Sequence, residues 1–99
     1  MADLLYTFHC ADVDRDPVCE ALRAVVATPI HRRHEDVLGR DFGDAGTAEQ
    51  VSGSLRRTAI QLVADESLQV ALTDAVTTAR RRSPVRWIAV PVVHAGRIA

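Results

Sequence analysis

The chain has 99 residues, 47% hydrophobic and 25% charged, with a formal net charge of -1. That balance fits one soluble globular domain and excludes an intrinsically disordered chain. It also excludes a global basic field for nucleic acid, and no apolar run approaches the ~18 residues of a membrane span.

The opening "MADLLYTFHC" lacks the basic start and apolar run of a secretory signal, so a cytosolic protein is expected. Cys10 and Cys19 are then expected as reduced thiols. All twelve basic residues are arginine. No repeat or linker divides the chain, and a single domain over residues 1–99 is expected.

Residues 3–10 alternate as a strand, with Leu4, Tyr6, Phe8 and Cys10 on one face and Leu5, Thr7 and His9 on the other. Both faces look covered, which marks a central strand. A helix of about three turns follows, with Asp16 as its cap, Pro17 in its first turn, and a stripe of Val18, Leu22, Val25 and Val26. Residues 28–36 are polar and begin beside a proline, which suits an edge strand. Residues 37–54 carry four glycines without periodicity and read as a long exposed loop, a length that is usually functional or disordered.

Residues 55–64 return to a strand. Asp65 opens a second helix, whose stripe is Leu68, Leu72, Ala75, Val76 and Ala79. Arg80, Arg81 and Arg82 suit the negative end of its dipole, and Pro84 blocks its continuation. Residues 85–93 form the last strand, where Pro91 favours an edge position.

The order is β-α-β-β-α-β, so the fold class is α+β and ferredoxin-like. Right-handed crossovers put both helices on one face of an antiparallel sheet. The last strand is nevertheless apolar on both sides, with Trp87 and Ala89 facing one way and Ile88, Val90 and Val92 the other. Helices on one face leave the second bare, and a bare apolar face is an association site. Self-association through that face is expected.

Two stretches carry a family likeness. "AEQVSGSLRR" at 48–57, followed by "VRWIAVPVVHAGRI" at 85–98, resembles a small bacterial family grouped with the PII-like proteins. Its members show E-Q-V-x-G-x-x-R-R before the third strand and a tail like W-V-x-P-V-x-x-G-R. The resemblance implies a trimer with the sheets inside and the helices outside. It implies that residues 37–54 form a T-loop-like insertion that contacts a target protein, with a small effector in the intersubunit cleft at its base. It implies a regulator rather than an enzyme, and a heavy-metal efflux pump as a plausible target. The phosphate-binding lysine of nucleotide-binding PII proteins is absent, so ATP or ADP is not the expected effector, and the cofactor is left unknown.

On this reading Arg56, Arg57 and Arg97 are the candidate anion contacts, with Glu49 and Gln50 shaping the loop base. The bland alternative is that the arginines pair with carboxylates or stay solvated. Arg56 and Arg57 are strand neighbours, so at most one faces a given cleft.

His31 and His34 are the candidate metal ligands, since neutral imidazole is a common donor. Residues three apart on a strand oppose each other, so a shared ion needs His9, Cys10 or another subunit. Metal homeostasis of the CutA type and a ligand-free structural trimer are the alternatives. No phosphate loop, nucleophile elbow or catalytic triad is present in the sequence, so no enzyme is expected.

Overall fold

The computed structural model describes residues 2–38 and 55–99. In chain order these form β1 (Asp3–Ala11), a 3-10 turn (Asp12–Asp14), α1 (Arg15–Arg23), β2 (His31–Val37), β3 (Leu55–Asp65), a second 3-10 turn (Glu66–Leu68), α2 (Gln69–Thr78) and β4 (Arg86–Pro91). The strands make one antiparallel sheet in the order β2-β3-β1-β4. This is a small α+β fold with the strand order that the split βαβ arrangement requires.

β1 is central, as its two-sided apolar pattern implies. Tyr6, Phe8 and Cys10 are fully buried on the side that carries the helices, together with Ile60 and Leu62 from β3. Val18 and Leu22, one helical turn apart, cover them from α1, and Leu72 and Val76 do so from α2. Trp87 stands opposite Phe8, and their rings stack with centroids 6.4 Å apart. An offset pair of this kind adds about 0.5–1.5 kcal/mol beyond its buried area.

Several element boundaries differ from expectation. α1 stops at Arg23 instead of running to Val26. The amides of Val25 and Val26 turn back to the Leu22 carbonyl, and Pro29 then bars the helix from resuming. β2 begins at His31 because the segment before it contains Pro29, which has no N–H for a ladder.

Asp16 is not the cap of α1. That position belongs to Asp14, whose carboxylate turns away from the helix. It accepts the amides of Arg82 and Ser83, each at 2.9 Å, and is 2% exposed. Asp16 sits in the first turn and accepts from Arg32 at 2.8 Å.

The second helical region keeps to expectation. The Asp65 carboxylate accepts the Ser67 amide at 2.9 Å and opens it. Thr73 and Thr77 return their hydroxyls to the carbonyls four residues earlier. At its end Arg81 donates to the carbonyls of Val76 and Ser83, each at 3.0 Å, which gives one of the three arginines the role the dipole suggests.

β4 is shorter than expected and ends at Pro91. Val92 N–H donates to the Asp3 carbonyl, so Pro91, one residue earlier, turns its missing N–H toward the open edge.

The face without helices is divided. Toward β4 it is apolar, with Ile88 55% and Val90 42% exposed. Toward β2 it is polar. Arg33 donates to Gln61 at 2.7 Å, and Gln61 donates to Thr7 at 3.0 Å, a relay across three strands. His9 Nδ1 meets the Glu35 carboxylate across β3 beside it. The bare apolar surface expected from the first and last strands is thus the β1–β4 half of this face.

Candidate functional site

Paired strands fix where each candidate side chain stands. Val37 pairs with Leu55, so β2 ends and β3 begins at one point of the sheet. Beside that point Asp36 is opposite Arg56, and Glu35 is opposite Arg57. Successive strand residues alternate faces, which sends Arg56 to the helix side and Arg57 to the bare side.

At the β2–β3 edge, Asp12, His34, Glu35, Asp36 and Arg56 line a cleft of about 420 Å³. A smaller one of about 240 Å³, lined by Arg15, Arg32, Arg33, His34 and Thr58, adjoins it through His34. Asp12 is held here by the Thr58 hydroxyl at 2.8 Å. His34 lies 3.7 Å from Asp12 and 3.5 Å from the Arg15 guanidinium. The result is a polar edge of mixed charge, where Arg15, Arg32 and Arg56 share the helix side with Asp12 and Asp36. Such an edge suits an anionic or zwitterionic small molecule held by guanidinium forks, with the carboxylates selecting against simple polyanions.

The predicted arginines do not converge within one chain. Arg57 is 5% exposed on the bare face and donates to the Arg56 carbonyl at 2.7 Å. Arg97 follows β4, which leaves the sheet beside Asp3, at the opposite end of β1 from Ala11 and Arg57. Arg56 alone lines the edge cleft. Glu49 and Gln50, and residues 39–54 of the predicted loop, lie outside the described residues.

The histidines separate as strand geometry demands. His31 pairs with Gln61 and His34 with Thr58, which places them on opposite faces. Among the described residues no group of three or more histidine, cysteine or acidic side chains is gathered as a metal site. His9 engages Glu35 on the bare face, away from Cys10.

Cys10 is a core thiol that contacts the Thr58 carbonyl at 3.7 Å. Burial, reinforced by Asp14 and Asp12, pushes its pKa up to about 11. The folded thiol thus keeps its proton where the unfolded one, near 9.0, has lost it. The sign follows: its contribution to stability is intact below about pH 9 and is lost as pH rises toward about 11. Alkylation at pH 8 is expected to modify half-buried Cys19 and to spare Cys10 until urea unfolds the chain. Mass spectrometry of the alkylated peptides checks this, and equal native-state labelling of both thiols would contradict it.

Sequence reasoning missed Asp14, the Arg33–Gln61–Thr7 relay and the His9–Glu35 pair. Each joins residues distant in the chain, and no local pattern announces them.

Residues 12–99 match the model of a family described as "Protein of unknown function (DUF3240)". The chain belongs to the DUF3240 family. A crystal structure of a DUF3240 family protein from Shewanella baltica OS155 superimposes with a TM-score of 0.78 at 13% identity, covering 100% of this chain and 99% of that one. A functionally unknown protein from Pediococcus pentosaceus ATCC 25745 follows at TM-score 0.63 and 11% identity, covering 99% of both chains. A Bacillus cereus protein related to NIF3 matches at TM-score 0.64 and 14% identity over 94% of this chain but 26% of its own length. At these identities the likeness concerns the fold. No curated protein matches the chain. Among the described residues no helix of this DUF3240 protein is long and apolar enough to cross a membrane.

Proposed function

We propose that the protein is a cytosolic, non-catalytic regulator of the PII-like kind, acting as a homotrimer with its bare sheet faces turned inward. A small anionic effector would bind where one subunit's edge cleft meets a neighbour, with Arg56 as its contact from this chain. Residues 37–54 would carry the signal to a target protein, for which the motif resemblance suggests a heavy-metal efflux pump.

The observation that carries the reading is the apolar half of the uncovered face. Ile88 and Val90 stay 55% and 42% exposed on ordered strand, on a chain whose own core is small. Strand pairing also puts the two ends of the 37–54 segment beside Arg56 and the cleft.

Light scattering combined with a thermal-shift screen of anionic metabolites, nucleotides and metals tests it. The expected results are a trimer mass and at least one anionic compound that raises the midpoint, as any ligand of the native state must. Arg56→Ala is expected to weaken that compound about tenfold, the worth of one charge-assisted contact. A monomer at all concentrations would remove the reading. A trimer that no compound stabilises would leave a structural assembly in its place.

A further inference from the structure

Two features at one end of the sheet fit each other. β2 pairs with β3 only as far as His31 opposite Gln61, while β3 runs on to Asp65. Among the described residues, the last part of β3 therefore has an open side. Val92 N–H bonds to the Asp3 carbonyl, so Asp3 turns its backbone polar groups toward β4 and Leu4 turns its own toward β3. Ala64, opposite Leu4, faces β1, and Val63 presents its N–H and C=O to the open side.

A cavity of about 600 Å³ borders this stretch. Val25, Val26 and Leu68 line it from the helix side and Leu5 and Val63 from the bare side, with Asp3 and Asp65 also among the lining residues. An unpaired strand edge beside an apolar trough is a template for an added strand.

The second feature is the segment after β4, which leaves the sheet at this same end. Val93 is 82% and Ile98 100% exposed. Beyond Val92, no backbone hydrogen bond to another described residue holds it. It carries apolar Val93 and Ile98 with basic Arg97, while the trough is apolar with acidic Asp3 and Asp65. Val93 and Ile98 are five residues apart, so an extended segment sends them to opposite faces, and the trough has apolar side chains on both.

We propose that residues 93–98 of one copy dock as a short added strand along the open side of β3 in a second copy, with Ile98 and Val93 in the trough and Arg97 at Asp3 and Asp65. The segment is not seated in its own chain, where Ile98 is fully exposed. Charge and apolar complementarity between two parts of the same sequence identify the occupant as another copy. The inference rests on the proposed function only in requiring self-association.

The test places a benzophenone-bearing phenylalanine at position 98, mixes isotope-labelled with unlabelled chains, irradiates, and maps the crosslinked peptides. Crosslinks between labelled and unlabelled chains that reach the trough residues, from Val25 to Pro29 or from Gln61 to Leu68, are expected. Ile98→Asp is expected to weaken self-association about tenfold or more, and Ile98→Val to leave it within about twofold. Crosslinks confined to one chain, or an oligomer crosslinked elsewhere, would overturn the docking and leave the sheet-face trimer standing. A chain that stays monomeric would overturn both.

Discussion

Replacing Asp14 by alanine is expected to destabilise the fold by about 2–4 kcal/mol, one of the largest single losses available outside the apolar core. The carboxylate lies between the turn after β1 and the connection from α2 to β4, and it accepts two amides at 2.9 Å while 2% exposed. Its removal leaves the Arg82 and Ser83 amides without their acceptor and loosens the segment that aligns β4 on β1. Trp87 and its stack on Phe8 depend on that alignment. The loss falls short of the summed worth of two charge-assisted bonds because burying the carboxylate is itself costly. Asp14→Asn is expected to be nearly as damaging, since its amide group meets one of the two N–H donors. Urea unfolding checks both variants. A midpoint change worth less than about 0.5 kcal/mol for Asp14→Ala would show that water replaces the carboxylate at no cost.

The second large effect concerns assembly. Ile88→Asp is expected to abolish the proposed trimer while leaving the subunit folded. Ile88 is 55% exposed in the single chain, so the substitution removes little from the subunit's own packing. Across a sheet-face contact each copy would bring an unpaired carboxylate into an apolar layer, at a desolvation cost of several kcal/mol per ion. Association is expected to weaken by more than about a hundredfold, because about 1.4 kcal/mol is tenfold. Val70→Asp is the control: Val70 is 68% exposed on α2, on the face that stays outside, and its change is expected to leave the mass unaltered. Light scattering with circular dichroism separates loss of assembly from loss of fold. An Ile88→Asp protein that keeps its oligomeric mass would place the subunit contact elsewhere.

The candidate site was legible one strand at a time. The alternation of Arg56 and Arg57, and of His31 and His34, follows from the two-residue period of any strand. It correctly forbids either pair from sharing a cleft within a chain. What opposes each residue does not follow from that period. Asp36 across from Arg56 and Glu35 across from Arg57 are consequences of one register among several, and a one-residue slip would exchange the faces. Arg97, taken from the tail motif, shows the same limit: its place in the motif says nothing of the antiparallel course of β4, which carries it within one chain toward the far end of β1.

Hydrophobic periodicity and breaker residues determined the order of elements, the central place of β1, the α+β class and the apolar side chains on the face without helices. These are local properties, because the apolar spacing of a strand or helix states which side must leave water. Only the tertiary structure decided the role of Asp14, the polar relay from Arg33 to Thr7 and the trough beside the uncovered end of β3. Each depends on which distant residues meet, and that is set by strand register and by where β2 stops short of β3.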